Sequence, residues 1–222
     1  MKKKILGLIA TTAIVFSACT KDDPVTINTP GPRDYSVSVN GKIVTVNNLD
    51  ADSVLGIGAQ GTYGSGKFTF FSLANNSKVS SSDSASSNWD IAFRGTKILV
   101  NSGTSGPGNG GAFVYTGAFE SVLSVPSDSF KVDNSALNSY AITTGGGNGW
   151  YNYDNTTTLV TAIPGRTLIV RTANGKYAKV QILNYYRGGV TPSSTSSDSI
   201  RAFDSRYYTF RYTYQADGSM NF

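Results

Sequence analysis

The chain of 222 residues contains no histidine, one cysteine and a single glutamate. Without histidine it has no Ser-His or Cys-His nucleophile pair and no histidine-based zinc site. A lone cysteine has no partner for an intramolecular disulfide. Because helical surfaces usually rely on Glu and Lys, the presence of only one glutamate, Glu120, favours β structure.

Carboxylates offer one remaining route to catalysis, since a glycosidase needs two facing acids. The aspartates are scattered through turn-like contexts, where Asp usually caps a turn or faces solvent. Among them are Asp83, Asp90, Asp128, Asp133 and Asp154. We therefore predict that the protein is not an enzyme.

The formal net charge of +5 overstates the attraction to anionic partners. Three of the 19 basic residues, Lys2 to Lys4, belong to a targeting segment, and without them 16 basic residues face 14 acidic ones. The rest of the sequence contains no cluster or periodic row of Lys and Arg residues. This balance of +2 is too small for a nucleic-acid footprint, and we predict no nucleic-acid binding.

The N-terminus has the pattern of a lipoprotein signal peptide. Lys2–Lys4 form a basic region, and Ile5–Phe16 form an apolar region that is too short to span a membrane permanently. Ser17-Ala18-Cys19 then resembles a bacterial lipobox. We predict that residues 1–18 are a signal peptide and that Cys19 is lipidated; a free or disulfide-bonded cysteine is the alternative.

Proline and polar residues mark a tether between the lipid and a folded domain. Pro24, Pro30 and Pro32 lie among polar side chains, which favours an extended spacer. We predict a lipidated tether over residues 19–34 and one β domain over residues 35–222.

Two Asn-Gly pairs between β-rich runs predict β-hairpins, because both turn residues accept positive φ. They are Asn40-Gly41 and Asn174-Gly175. The second gives the clearer hairpin, and we expect Val170 and Val180 on its strands to be buried.

Repeated short strands with glycine-rich turns and no credible long helix indicate an all-β fold. We predict a single antiparallel β-sandwich or curled-sheet domain with at most one short helix. One helical turn is plausible within Ala118–Val125, and Gly188–Ser199 is predicted to be a long polar loop. The further predicted strands are Phe68–Leu73, Trp89–Phe93, Lys97–Asn101, Ala112–Phe119, Ser139–Thr144, Trp150–Tyr153, Leu159–Ile163 and Tyr207–Tyr214.

Two glycine patterns imitate nucleotide-binding motifs. Gly56–Gly61 spells G-x-G-x-x-G, and Gly61–Lys67 spells most of a phosphate-binding loop. Both motifs need a following helix, whereas Phe68 begins an alternating strand-like run. We predict that these are turn glycines.

An aromatic block follows a second glycine-rich stretch. In Gly149–Asp154, Trp150, Tyr151 and Tyr153 lie beside flexible loops. Such rings can sandwich a flat apolar ligand such as a porphyrin. The alternative is that Trp150 and one tyrosine fill the core while the other tyrosine is exposed.

In Asn88–Ala112, a strand-like run is followed by a loop of Gly, Ser, Thr, Asn and Pro. The backbone of such a loop can approach a ligand or a neighbouring strand closely. This stretch resembles the W-D-x-A block of the HmuY-like family of Bacteroidota surface lipoproteins. Leu168–Ile182 and Tyr208–Tyr214 extend the resemblance over most of the chain after about residue 60. It implies an HmuY-like β domain that captures haem or another tetrapyrrole and delivers it to a TonB-dependent outer-membrane transporter. A surface adhesion or glycan- or protein-binding lipoprotein on the same fold is the alternative.

The resemblance also implies a site. Gly149–Tyr153 matches a family block whose axial-ligand position falls at Asn155, while the segment before it contains neither the His nor the Met that relatives use. It implies haem contacts by Trp150, Tyr151, Tyr153, Asn155 and Arg94, with the loop Asn101–Gly111 as a possible wall.

Three modes of binding remain open. A Tyr153 or Tyr151 phenolate could ligate iron, with Tyr153 as our predicted ligand, because phenolate is an accepted haem ligand. Arg94 could then pair with a propionate. Stacking and propionate contacts could instead hold a porphyrin with no axial ligand, or the fold could serve a different ligand.

The resemblance implies a location as well. The acidic Thr20–Asp23 segment beyond Cys19 resembles the surface-export signal of Bacteroidota lipoproteins. We therefore expect an outer-membrane, lipid-anchored protein that is exposed at the cell surface. The alternative is that the segment is a solvated tether with no export function.

Overall fold

The computed structural model describes residues 34–126 and 128–222. The predicted signal peptide and Cys19 lie outside the described residues, as does the predicted tether except for Asp34. Strands make up 41% of the structure and pair antiparallel, and one short α-helix is present among the described residues, which confirms the all-β prediction. Within these residues, no helix has the length and apolar character needed to cross a membrane.

The described residues form fourteen strands and one α-helix. They are β1 (Ser36–Asn40), β2 (Ile43–Asp50), β3 (Gly56–Gly58), β4 (Gly61–Tyr63), β5 (Thr69–Ser72), β6 (Ser77–Val79), β7 (Ile91–Arg94), β8 (Lys97–Val100), β9 (Gly111–Thr116), β10 (Tyr151–Tyr153), β11 (Val160–Ala162), β12 (Arg166–Arg171), β13 (Tyr177–Tyr186), α1 (Asp198–Phe203) and β14 (Ser205–Gln215).

The strands form two larger sheets and two separate hairpins. The six-stranded sheet has the order β1-β2-β14-β13-β12-β9, and the four-stranded sheet has the order β6-β5-β7-β8. The hairpins β3–β4 and β10–β11 pair only with themselves. Every pairing between these strands is antiparallel.

The two larger sheets enclose the main core. Phe71 and Phe93 of the four-stranded sheet contact Phe210 of the six-stranded sheet, with ring centroids 5.5 and 5.3 Å apart. Alternate residues of β2, Val44 and Val46, point into the same core, as the two-residue period of a strand requires. The fold is therefore a β-sandwich, as predicted.

Both predicted hairpins are present. Val170 and Val180 are fully buried in β12 and β13, which confirms the expectation for the second one. In the first hairpin Asn40 pairs with Ile43, so the turn residues are Gly41 and Lys42 rather than Asn40 and Gly41. Gly41 takes a φ of +59°, which glycine adopts without strain.

The four-stranded sheet carries a second, smaller apolar cluster on its other face, around Trp89, Ala92 and Leu99. The glycine-rich loop, residues 101–110, is held there by Asn101. Its amide nitrogen donates to the carbonyl oxygens of Ser86 and Trp89, and its amide oxygen accepts from Gly108 N. The loop therefore packs against its own sheet.

Close packing explains the glycines of that loop. A Cβ on Gly106 would lie 2.2 Å from Asn101 Oδ1, and a Cβ on Gly103 would lie 2.0 Å from the carbonyl oxygen of Asp133. Neither position has room for a side chain. The composition of the loop thus serves a close approach of the backbone to neighbouring parts of the same chain.

Two local predictions were wrong. Ser139–Thr144 forms no strand, because the Ala141 N–H is taken up by the buried Asp133 carboxylate at 2.9 Å instead of by a neighbouring strand. Gly188–Ser199 is not wholly a loop. It overlaps a 3₁₀ turn at Arg187–Gly189 and the start of α1, whose first turn is capped by Ser197 Oγ accepting from Ile200 N.

Other local predictions were confirmed. The helical turn expected within Ala118–Val125 is a single 3₁₀ turn at Phe119–Ser121. The glycines of the apparent dinucleotide motif belong to a hairpin as expected, although Gly56, Gly58 and Gly61 lie in β3 and β4 and the turn itself is Ala59-Gln60. The next element along the chain is strand β5, so the helix that both nucleotide motifs need does not follow the loop.

Candidate functional site

A cleft of about 500 Å³ opens between the two free hairpins and α1. Strands β13 and β14 contribute its remaining lining. This volume lies within the range of small-molecule pockets, roughly 300–1,000 Å³. The lining residues are Ile57, Gly61, Thr62, Tyr153, Thr158, Val160, Tyr185, Tyr186, Asp198, Arg201, Ala202, Ser205 and Arg206.

The β10–β11 hairpin forms one wall. Tyr153 pairs with Val160 across the hairpin, and the Val160 N–H donates to the hydroxyl of Tyr186 at 2.8 Å, which joins the hairpin to β13. Asp154 orders the turn by accepting from Thr156 N at 2.8 Å. Tyr153 is 46% exposed, so its ring is available to a ligand.

Irregular pairing between β13 and β14 brings two consecutive tyrosines inward. The register shifts between Ile182 and Asn184 and again between Asn184 and Tyr186. A regular strand would turn Tyr185 and Tyr186 to opposite faces, whereas here both are buried and both line the cleft. The bulges therefore make an aromatic wall.

Burial also fixes the charge state of these phenols. Desolvation raises the pKa of Tyr185 well above its ordinary value of 10.0, although the Arg206 guanidinium opposes that rise. Desolvation likewise raises the pKa of Tyr186, and the hydrogen bond from Val160 N–H opposes it. Both tyrosines are neutral at physiological pH and contribute ring surface.

Arg206 supplies a cation to the cleft. Its guanidinium donates to the Asp52 carbonyl oxygen at 3.0 Å and to Thr62 Oγ1 at 3.1 Å. These bonds link the β3–β4 hairpin to the first residues of β14. The side chain is 19% exposed and lies 3.9 Å from the Asp52 carboxylate.

Arg201 supplies a second cation from α1. Its guanidinium donates to the Ser194 carbonyl oxygen at 2.6 Å and pairs with the Asp198 carboxylate. The side chain is 13% exposed, and its Nε is buried without a hydrogen-bond partner. A buried N–H without a partner is uncommon in a folded protein.

Backbone strain concentrates at the same cleft. Six non-glycine residues have positive φ among those described, and four are Asn or Asp, which tolerate it. The other two, Thr158 (φ 56°) and Arg206 (φ 68°), both line the cleft. Strained residues of this kind gather at functional sites.

The family assignment follows from the sequence. The sequence model of the HmuY protein family matches residues 65–196, which is more than half of the chain. The chain belongs to the HmuY family. The matched range holds one of the two hairpins of the cleft, β10–β11, and both cleft tyrosines of β13, whereas Arg201, Arg206 and β3–β4 lie outside it.

Solved structures resembling this HmuY-family chain come from three Bacteroidota. One is a lipoprotein from Bacteroides fragilis (15% identity, 81% of this chain and 93% of that chain, TM-score 0.45). Another is a protein from Bacteroides vulgatus named as HmuY-like and haem-binding (15% identity, 78% and 91%, TM-score 0.43). The third is the apo form of an HmuY analog from Tannerella forsythia (13% identity, 82% and 97%, TM-score 0.40). No curated protein matches the chain.

The structure separates the residues that the HmuY resemblance grouped together. Tyr153 lines the cleft, and Asn155 is exposed in the turn just beyond it. Trp150 is 2% exposed and Tyr151 is also buried, so neither offers a surface to a ligand in this arrangement. This burial agrees with the alternative interpretation of the aromatic block, in which Trp150 and one tyrosine fill the core and the other tyrosine is exposed.

Trp150 supports the cleft from behind. Its indole N–H donates to the Thr96 carbonyl oxygen at 3.0 Å, and its ring lies 5.8 Å from Tyr185 and 5.2 Å from Tyr208. Tyr185 in turn lines the cleft. The conformation of the tyrosine wall thus depends on this buried indole.

Arg94 and the glycine-rich loop lie elsewhere. The Arg94 guanidinium donates to the Gly66 carbonyl oxygen at 3.0 Å and lies 4.4 Å from the centroid of the Phe68 ring. It does not line the cleft, and neither does any residue of the loop 101–110. The expected contact of Arg94 with a propionate therefore has no geometric support in this arrangement.

Sequence reasoning missed both cleft arginines. Arg201 lies just after the segment interpreted as a polar loop, and Arg206 lies one residue before the predicted final strand. Arg201 comes three residues after Asp198, and Arg206 comes directly before two tyrosines. Neither local pattern marks the arginine as a site residue. Only the tertiary structure shows that both side chains line one cleft with the two hairpins.

No conventional metal centre is evident in the part of the chain that the structure describes, where no group of three or more His, Cys, Asp or Glu could hold an ion. The cleft still fits a tetrapyrrole in other respects. Aromatic and aliphatic walls suit a flat ring, the arginines suit carboxylates, and the Tyr153 phenol is an accepted type of haem ligand.

Proposed function

We propose that the protein binds haem or a related tetrapyrrole, without catalysis, in the cleft between β3–β4, β10–β11 and α1. One observation carries the proposal: a chain of the HmuY family has a cleft of about 500 Å³ with aromatic walls and two guanidiniums. The name of the similar Bacteroides vulgatus protein, which describes haem binding, supports the choice of ligand.

The ring would lie against the tyrosines. Tyr185 and Tyr186 form the inner wall, and Tyr153 and Ile57 lie on opposite hairpins at the mouth. Burying a flat apolar ring between such side chains is favourable because it removes apolar surface from water. Tyr153 would also present its hydroxyl to a bound iron.

Blocking the cleft tests this placement. Ala202 lines the cleft from α1, so Ala202→Trp should fill it with an indole and lower haemin affinity at least tenfold. Ala136→Trp is the matched control, because Ala136 is exposed in a turn and does not line the cleft. Haemin absorbance titrations of the three proteins, with circular dichroism as a folding check, supply the measurement.

The result distinguishes the candidate functions. Loss of binding in Ala202→Trp alone supports the cleft. Equal haemin binding by all three proteins would place the ligand elsewhere, and a wild-type spectrum identical to that of free haemin would overturn haem capture. That last outcome would favour the adhesion or glycan-binding alternative, for which the exposed Leu55 and Tyr63 offer contact surface.

We further propose that the protein is an outer-membrane lipoprotein, exposed at the cell surface, that passes its ligand to a TonB-dependent transporter. The predicted lipobox at Cys19 and the acidic segment after it support this placement. Growth on haemin as sole iron source should be lost in cells carrying Ala202→Trp and equally in cells without TonB. Undiminished growth without TonB would contradict delivery by this route.

A further inference from the structure

Two arginines converge on the cleft from different elements. Arg201 belongs to α1 and Arg206 to the start of β14, and both side chains are largely buried. Burying a cation is costly unless it finds an anionic partner, and guanidinium is the side chain best suited to grip a carboxylate. Two such groups in one small cleft require an explanation.

Hydrogen-bond partners satisfy Arg201 only in part, whereas Arg206 donates to the Asp52 carbonyl oxygen and to Thr62 Oγ1. Arg201 pairs with Asp198, a largely exposed carboxylate, while its Nε has no hydrogen-bond partner. Arg206 lies 3.9 Å from the Asp52 carboxylate, which is longer than a hydrogen bond. Of the charged side chains lining the cleft, one is acidic and two are basic, since Asp52, the second carboxylate, does not line it.

Backbone strain points to one of these arginines and to the opposite wall of the cleft. Arg206 holds a φ of 68°, which an arginine adopts only when the surroundings enforce it. Thr158, on the opposite hairpin, holds a φ of 56°. The unpartnered Nε and the strained backbone are independent observations on one cleft.

We infer that Arg201 and Arg206 form a carboxylate-recognition site, so that the cleft selects flat ring compounds carrying ionised carboxylates. This inference rests on the proposed function and specifies its ligand class. The carboxylates, rather than a bound metal, then determine affinity, so metal-free protoporphyrin binds about as tightly as haemin. Tyr153, Tyr185 and Tyr186 supply the ring surface, and the two guanidiniums set the orientation of the ring.

Esterification tests the inference on the unaltered protein. Protoporphyrin IX and its dimethyl ester share one ring but differ in charge. Because each hydrogen bond to a charged group is worth about tenfold to hundredfold in affinity, the diacid should bind at least tenfold more tightly than the ester. Porphyrin fluorescence anisotropy at matched concentrations measures both, and added salt should weaken only the diacid.

Arginine variants assign the effect to residues. Arg201→Gln and Arg206→Gln should each weaken the diacid by about tenfold to hundredfold and leave the ester unchanged. Arg211→Gln is the matched control, since Arg211 is also an ion-paired arginine of β14 but lies outside the cleft. Thermal unfolding checks each variant, because Arg206 also holds the β3–β4 hairpin.

The outcomes separate this inference from the proposed function. Equal binding of diacid and ester would overturn carboxylate recognition while leaving porphyrin capture intact. Loss of ester binding in the arginine variants would show that they act only through the fold, which also overturns it. Binding of neither compound nor of haemin would overturn the proposed function itself.

Discussion

Tyr153 differs from its two aromatic neighbours in what it can do. Trp150 and Tyr151 lie in the core, whereas Tyr153 is 46% exposed on the wall of the cleft. Strand alternation does not separate the two tyrosines, because Tyr151 and Tyr153 lie two residues apart on the same side of β10. Burial instead decreases along this short strand toward its turn, so Tyr151 is covered and Tyr153 is not. Tyr153 is therefore the residue of this block that can touch a ligand.

A tyrosine substitution tests iron ligation. If Tyr153 ligates, the ferric haemin complex should show a high-spin phenolate spectrum, and Tyr153→Phe should abolish it. Affinity should fall by less than about tenfold, because forming the phenolate costs free energy that offsets much of the gain from the iron–oxygen bond. Tyr151→Phe is the control, since that buried ring should leave the spectrum unchanged. A high-spin spectrum that persists in Tyr153→Phe would contradict ligation by this residue.

At the scale of elements, the loop 101–110 illustrates how a motif can be structural. Its glycine-rich composition suits a ligand-binding loop and also a loop that packs tightly on its own sheet. The structure shows the second use, with Asn101 at the centre. The hydrogen bonds of this one amide fix the loop to the strand end and to the turn before Trp89.

Removing that amide should therefore cost stability and not binding. Asn101→Ala leaves buried backbone groups without partners and should lower the free energy of unfolding by about 2–4 kcal/mol. Asn109→Ala, at an exposed position of the same loop, should change it by less than about 0.5 kcal/mol. Urea unfolding followed by tryptophan fluorescence measures both. Similar midpoints for the two variants would show that the loop does not depend on Asn101.

At the scale of the whole molecule, the proposed function needs the β domain to be held at a membrane. No helix in the described ranges 34–126 and 128–222 could span one, and the predicted lipid attachment at Cys19 lies outside those ranges. A lipid anchor at the end of a proline-containing tether would hold the cleft away from the bilayer surface.

Substituting the cysteine tests anchoring. Cys19→Ala should leave the precursor without lipid and shift the protein from membrane fractions to the soluble fraction. Ser17→Ala is a suitable control, because alanine keeps a small residue before the cysteine. Fractionation with immunoblotting measures the distribution. A Cys19→Ala protein that still sediments with membranes would contradict lipid anchoring.

The sequence by itself determined the class of fold. Alternating apolar residues and Asn-Gly turns are local signals, and a strand or hairpin follows from them wherever one face is buried. The burial of Val170 and Val180, the sandwich and the HmuY family assignment could all be anticipated from such patterns.

Only the tertiary structure decided the site. The cleft joins residues near positions 57–62, 153–160, 185–186 and 198–206, which long-range pairing and two register shifts between β13 and β14 bring together. A local pattern fixes that side chains alternate but not which set faces the core, since a shift of one residue exchanges the faces. The packing of the β10–β11 hairpin against the sandwich buries both Trp150 and Tyr151 and leaves Tyr153 exposed. Arg201 and Arg206 line one cleft because α1 and the start of β14 lie beside the hairpins.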